Sequence, residues 1–258
     1  MPPARYPLRI LTYNVLYGGT GRETALAAVI TSQNADIILL QEVSTGPFVA
    51  DLARSLAMTC VVAPVRSRFG TAILTRYPVM SSSIHGRGAV AVADVAAAAG
   101  KGSSMPVRVV AVHAAPFPNV LLEWYRARQV STALACAGQP GVVGSVIAGD
   151  LNAFAPGDPL RLEEFPWYLK AMMLAQGNRI PRLAIARLVR AGFVDCFRAA
   201  HPDMPGYTVP APAPNARIDY IFASPLLASR CVDCFVPNGP AAIDTASDHY
   251  PVVSQFDI

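Results

Sequence analysis

At 258 residues the chain can bury one sizeable core, and 53% hydrophobic content with 15% charged residues excludes a disordered polymer. A formal charge of +4 is compatible with an anionic substrate and identifies none. Five scattered cysteines, with a single C-x-x-C at Cys231 and Cys234, exclude a disulfide-stapled miniature fold and favour reduced thiols over zinc. The start, MPPARYPLRILTYNV, has no signal-type apolar segment, and no apolar run is long enough to cross a bilayer. The expected location is therefore the cytoplasm.

In chain order, residues 8–13 are branched and aromatic, and read as a strand ending at Asn14 before the glycine-rich turn of Gly18, Gly19 and Gly21. Residues 22–33 read as a helix, and Asp36 shapes the turn into the apolar run 37–40. Short strands are expected at 60–65, 71–75, 79–84 and 89–95, a spacing that suggests antiparallel pairing rather than a pure βαβ repeat. The low-complexity stretch 96–104 reads as a hairpin or surface loop. A strand at 107–112, a helix from about 121 to 137 and a strand at 142–148 follow. Composition then shifts between Pro156 and Pro214, with helix-like segments at 163–175 and 182–191 and the proline-rich PGYTVPAPAPN. Strand character resumes at 217–223, 230–236 and 251–256. One domain over 1–258, carrying a helical insertion at about 156–214, is the simplest organisation.

Several apolar runs stop at a polar group. ILTYN ends on Asn14, IILLQE on Gln41 and Glu42, VVAVH on His113, and VIAGDLN on Asp150 and Asn152. ARIDYIF carries Asp219, and Ser247, Asp248 and His249 precede the last strand. A buried strand is rigid, so its end can deliver a side chain into a cleft without ordering a long loop. Asn, Asp and Glu supply oxygen ligands, which suit hard cations such as Mg²⁺ or Mn²⁺ better than zinc. Taken singly, each residue also has a plain structural role, such as a turn at Asn14 or an Asx turn at Asp150 and Asn152. Their joint occurrence in this order shifts the balance towards a site.

The stretches LTYNV, LLQEV, GTAILTRYPV, VVAVHAAP, AGDLNAF, RIDYIFAS and SDHYPVV run from Leu11 to Val253. In that order they resemble the endonuclease/exonuclease/phosphatase superfamily, which includes DNase I-like and exonuclease III-like enzymes. The resemblance implies an α/β fold: a four-layer α/β sandwich of two mainly antiparallel β-sheets packed face to face with helices outside. It implies a divalent-metal-dependent phosphodiester hydrolase in which water attacks phosphorus, with Mg²⁺ or Mn²⁺ as cofactor. DNA or RNA is among the candidate substrates. A phosphatase or phospholipid-headgroup phosphodiesterase on the same scaffold is the alternative, and a catalytically silent binding module is the alternative of another class. The expected protein is a monomer, with peripheral lipid contact left open.

Residue by residue, the resemblance makes Glu42 the principal metal ligand, with Asn14 beside it and Asp248 near the metal site. It makes Asp150 the group that orients or deprotonates the attacking water, while Asn152 donates to a phosphate oxygen. Asp219 and His249 form a carboxylate–imidazole pair, and either Asp150 or His249 serves as the base. His113 matches the histidine of DNase I-like and sphingomyelinase-like members, whereas exonuclease III-like members usually have tyrosine there. Thr208, in GYTVP, stands where a substrate-side residue often occurs.

Residues 170–198 carry six basic groups (Lys170, Arg179, Arg182, Arg187, Arg190 and Arg198) against Asp195 alone. A solvated helix face is favoured over a basic wall beside the cleft. Trp167, Tyr168, Met172 and Met173 lie just upstream, and core covering is favoured over base stacking or lipid contact.

Overall fold

In strand β1 (Leu8–Asn14) successive side chains point to opposite faces, and both faces are buried. Leu8 and Ile10 enter one apolar cluster, and Leu11 and Tyr13 enter another. A strand covered on both sides belongs to a sheet held between two layers. The computed structural model describes residues 7–63, 70–97 and 106–258 and shows this arrangement twice.

In chain order, β1 is followed by α1 (Glu23–Ser32), β2 (Ile37–Val43), α2 (Phe48–Ser55), β3 (Thr59–Ala63), β4 (Gly70–Thr75), β5 (Val79–His85) and β6 (Val90–Val95). Next come β7 (Val107–His113), α3 (Val120–Ala137), β8 (Gly144–Asp150), α4 (Trp167–Ala175), α5 (Leu183–Arg190), β9 (Val194–Asp195) and α6 (Cys196–Ala200). The chain ends with β10 (Asp219–Ala223), α7 (Pro225–Ala228), β11 (Cys231–Phe235), α8 (Ile243–Ala246) and β12 (Val252–Phe256).

These strands form two six-stranded sheets, in the orders β11-β12-β1-β2-β4-β3 and β5-β6-β7-β8-β10-β9. Among the described residues only β1–β2 and β7–β8 pair in parallel, each joined through a helix (α1 and α3) as a parallel connection requires. The sheets face one another across a core that includes Leu8, Ile10, Leu39, Val109 and Val146. Leu26 and Ile30 of α1, Leu52 of α2 and Ile243 of α8 cover the outer face of the first sheet. Val130 of α3 and Leu188 of α5 cover the second. Helices, sheet, sheet and helices make the expected four layers, with mixed sheets that are mainly antiparallel.

Differences from the expected elements have local causes. The helix expected at 163–175 is split: residues 162–164 form a single 3₁₀ turn and α4 starts only at Trp167. Pro166 lacks an N–H and forces Phe165 into extended backbone, so the two cannot be continuous. The short helices α2, α6, α7 and α8 and the two-residue strand β9 were not anticipated, because segments this brief carry little periodicity. Most of the loop expected at 96–104, and positions 64–65 of the third expected strand, lie outside the described residues.

Within residues 156–214, α5 packs on the outer face of the second sheet and β9 pairs with β10 at its edge. α4 instead covers a separate small cluster of Phe154, Phe165, Met173 and Ala216. Arg217, fully buried, fastens this stretch to β10. Its Nε and Nη2 donate to Asp158 at 2.7 and 3.0 Å, and its Nη1 and Nη2 to Asp195 at 2.9 and 2.7 Å. The same guanidinium lies over the rings of Tyr220 and Phe197, 4.6 and 5.3 Å from their centroids. Met173 is buried as expected, but Trp167 is 81% exposed and Tyr168 half exposed, so neither covers the core.

Candidate active site

Strand parity gathers the polar strand ends. Leu8, Ile10, Thr12 and Asn14 share the inter-sheet face of β1, as do Val107, Val109, Ala111 and His113 on β7. Val146, Ala148 and Asp150 share it on β8, and Asp219, Ile221 and Ala223 on β10. Asp150 is paired in register with His113 on one side and Asp219 on the other. Four functional groups thus emerge at one end of the core, between the sheets.

Glu42 needs a device to join them. By alternation after Leu39 and Gln41 it would point to the outer, helix-covered face. A β-bulge between Gln41 and Val43, with Glu42 at φ +58°, turns it towards the inter-sheet face. Asn14 Nδ2 donates to Glu42 Oε1 at 3.2 Å, and Tyr17 N to Oε2 at 2.9 Å. Asn14 Nδ2 also donates to Asp150 Oδ2 at 3.0 Å, tying the two sheets together. Its own Oδ1 accepts from Leu16 N at 2.9 Å, so Asn14 turns its nitrogen, not its oxygen, towards the carboxylates. It bridges Glu42 and Asp150 in this arrangement, where the resemblance implied a place beside the metal.

Asp150 is buried and richly held. Asn152 N donates to its Oδ1 at 2.9 Å, and Asn152 Nδ2 to Oδ2 at 3.0 Å. Asn152, at φ +47°, also donates from Nδ2 to Ala114 O at 3.0 Å. Gly149 lets β8 approach β7 here: at φ +147°, an added Cβ would meet Val112 O at 1.9 Å. His113 Nε2 stands 3.8 Å from Asp150 Oδ2 and 3.9 Å from Glu42 Oε1. His249 Nε2 stands 3.9 Å from Asp150 Oδ2, and its Nδ1 bonds Asp219 Oδ2 at 2.8 Å. The second oxygen of Asp219 is buried with no hydrogen-bond partner. Asp248, half-buried, lines the cleft with Asn152 and His249.

Two residues singled out in their motifs, Ser247 and Thr208, support the site from behind. Ser247, the first letter of SDHYPVV, donates to Asn14 O at 2.7 Å and accepts from His249 N at 3.3 Å, linking both strand ends. Thr208 does not reach the cleft with its hydroxyl. Its Oγ1 accepts from Ile218 N and Asp219 N at 3.3 and 3.4 Å, so it positions the carboxylate from behind. Arg76 binds Asn34 and the Ala35 carbonyl, and Asp36 accepts from Arg9 N, both structural roles.

Electrostatics follow from burial and crowding. Burial pushes the Asp150 carboxyl up to about 7, although His249 and the hydrogen bonds from Asn14 and Asn152 oppose the shift. Burial pulls His249 down, but Asp219, helped by Asp150 and Asp248, outweighs it and raises the ring to about 10. Burial holds His113 below the ordinary histidine value, against the pull of Glu42, and burial with Glu42 raises Asp248. Four carboxylates, Glu42, Asp150, Asp219 and Asp248, face one strongly basic imidazole. Two of these acids, Asp150 and Asp219, are buried and two are partly buried, and such a cluster of acidic groups suits a cation. Asp150, Asp219 and His249 place ligand-type atoms within 4.8 Å of one another. The oxygen-rich donor set and the orphaned Asp219 oxygen fit a hard divalent ion.

A face-to-face α/β sandwich with acidic and imidazole groups at one end of its core defines a class of metal-dependent phosphoester hydrolase. The chain belongs to the Endonuclease/Exonuclease/phosphatase family, whose model matches residues 11–249. An AP endonuclease from Archaeoglobus fulgidus is similar over 97% of this chain and 100% of its own, with TM-score 0.75 and 21% identity. The 3' phosphatase NExo from Neisseria, bound to a product DNA hairpin, is similar over 97% and 100%, with TM-score 0.72 and 20% identity. TDP2 from Caenorhabditis elegans is similar over 98% of this chain and 75% of its own, with TM-score 0.65 and 18% identity. No curated protein matches the chain. Among the described residues, no helix is long and apolar enough to cross a membrane.

Proposed function

We propose that the chain is a Mg²⁺- or Mn²⁺-dependent phosphodiester hydrolase in which Asp150 prepares the attacking water. The observation that carries this reading is the setting of Asp150. It is buried, held by Asn14 from the opposite sheet and by Asn152, and faced by His113 and His249 Nε2 at 3.8 and 3.9 Å. A carboxyl raised to about 7 is suited to accept a proton near neutral pH.

Glu42 and Asp248 would hold the divalent ion, with Asn14 keeping Glu42 in place. When bound, the ion would neutralise charge developing on the phosphoryl group. His249, held by Asp219 and raised to about 10, is a cationic donor to a phosphoryl oxygen. His113 stays neutral and offers Nε2 to the same space. Asn152 already uses both amide hydrogens, so a phosphate oxygen would displace one of those bonds. The whole chain acts as one catalytic domain and as a monomer in this reading. All five cysteines are free, in keeping with the cytoplasm.

The test is hydrolysis of bis-p-nitrophenyl phosphate by the purified protein with Mn²⁺ or Mg²⁺, abolished by EDTA. Absence of turnover on every phosphoester tried, with metal bound normally, would overturn the reading. Abasic-site DNA, RNA, sphingomyelin and inositol phosphates then separate the substrate classes. DNA enters that panel because the NExo neighbour holds a DNA product.

A further inference from the structure

The C-x-x-C of the sequence has no part in the catalytic site, and the fold brings it a third thiol. Cys231 and Cys234 lie on β11, the edge strand of the first sheet. Three positions apart, they would point to opposite faces of a regular strand. A β-bulge between Cys231 and Asp233 turns both towards the inter-sheet core. Cys196 enters the same core from α6, which follows β9 at the edge of the second sheet and packs on β11. His201, just past α6, bonds Asp233 Oδ1 through Nε2 at 3.2 Å and fixes the helix on the strand. In this setting the Cys196 thiol donates a hydrogen bond to Cys231 Sγ, with Cys234 fully buried beside them.

Among the described residues, the groups close enough to share an ion are those of the catalytic site, so these thiols form no zinc site. Their chemistry is that of a thiol pair. Cys231 is half-buried, with Sγ 3.3 Å from Ser254 Oγ and 3.5 Å from Asp233 O. The hydrogen bond from Cys196, helped by Ser254 and the Asp233 backbone, lowers the Cys231 thiol to about 7 against its burial. The same bond, with burial, holds Cys196 well above the ordinary thiol value. One sulfur is thus a ready nucleophile, and its neighbour keeps a proton and a second sulfur in reserve. In Cys60, also half-buried, burial acts alone and raises the thiol to about 11.

We propose that Cys231 and Cys196 are an oxidation site, which a hydroperoxide converts into a reversible disulfide joining α6 to β11. Cys231 Sγ attacks one peroxide oxygen, the O–O bond breaks, and the departing oxygen leaves as water or alcohol with the Cys231 proton. Cys196 Sγ then attacks the sulfenic acid so formed. The S–O bond breaks, and the hydroxyl leaves as water with the Cys196 proton. Two thiols have lost two hydrogens, and the peroxide has taken up two electrons. The bond closes a loop that holds Thr208, Arg217 and Asp219, and in a reducing compartment it is transient. The test uses full-length protein in EDTA, treated with hydrogen peroxide at pH 7, alkylated and digested with trypsin. Residues 191–198 should be joined to 231–258, with fragmentation placing the bond on Cys231, and dithiothreitol should undo it. In untreated protein at the same pH, iodoacetamide should label Cys231 about tenfold or more faster than Cys60. Cys231→Ser should abolish the linkage, and Cys196→Ala should instead leave a dimedone-reactive sulfenic acid at Cys231. Cys231→Ser alters a half-buried position, so it carries the test together with wild type should Cys196→Ala fail to fold. Absence of the linkage, a bond between Cys231 and Cys234, or a bond between two chains would overturn the proposal. So would a linkage that survives Cys231→Ser, or Cys60 labelled as fast as Cys231.

Discussion

At the scale of single residues, the site depends on groups whose states are set by a neighbour. His249 is basic because Asp219 lies 2.8 Å from its Nδ1, overcoming the burial that would otherwise lower it. In metal-free Asp219→Asn, the His249 ring should titrate well below the value of about 10 in the parent, visible by NMR. An unchanged titration would remove Asp219 as the cause. For turnover, Asp150→Asn and His249→Ala should each cost about 10²–10⁴-fold, the usual contribution of a positioned proton-transfer group. Either variant retaining near-wild-type rates would strike that residue from the machinery. Gly149→Ala tests positioning rather than chemistry. A methyl aimed at Val112 O from a left-handed φ must push β8 away from β7, and with it Asp150 away from His113. The expected result is a destabilised protein with almost no activity, whereas wild-type melting would show that the two strands have room to spare.

At the scale of elements, one buried fastener is Arg217, which sits two residues before Asp219. It joins Asp158 and Asp195, and so ties residues 156–214 to the strand that carries Asp219, the partner of His249. Arg217→Met would leave the buried Asp158 with only the partly exposed Arg198 as its ion-pair partner and Asp195 with only its helix-capping bond, a loss of up to about 3–5 kcal/mol. Chemical denaturation should show this loss, and limited proteolysis should cut first between 156 and 214. The partly exposed Arg198, which also reaches Asp158, should cost much less when changed to Ala. Such elements differ in how far the sequence discloses them. The central strands of both sheets, such as β1 and β8, are legible because burial on two faces forces unbroken apolar runs, and their polar last residues stand out by contrast. The bulge that redirects Glu42 was not legible, since nothing in LLQEV marks a left-handed glutamate. Nor was the bridge made by Asn14, because which end of an amide meets which partner depends on a contact between different sheets. The exposure of Trp167 escaped for a related reason. Pro166 starts α4 late and fixes its rotation, so the helix buries Met173 and turns Trp167 to solvent.

For the whole molecule, the site is a place where folding energy is given up for function, and the loss should depend on pH and metal. Asp150 is held near 7 against an ordinary value near 4, so the folded, metal-free protein keeps a proton that the unfolded chain releases. That contribution to stability is complete below about pH 4 and is lost as pH rises through about 7. His249 acts in the same direction: its contribution is complete below about pH 6.5 and disappears as pH approaches about 10. Both groups therefore make the metal-free protein less stable on the alkaline side, as ionised carboxylates accumulate at one end of the core. A divalent cation replaces the missing positive charge, and a ligand at one hundred times its Kd adds about 2.7 kcal/mol. In EDTA the melting temperature should fall from pH 6 to pH 9, and Mn²⁺ or Mg²⁺ should restore it more fully at pH 9 than at pH 6. Equal metal stabilisation at both values would mean that the cation does not meet these groups. In Glu42→Gln the metal-dependent rise should shrink while the pH trend in EDTA persists, which separates the ion's ligand from the groups that titrate.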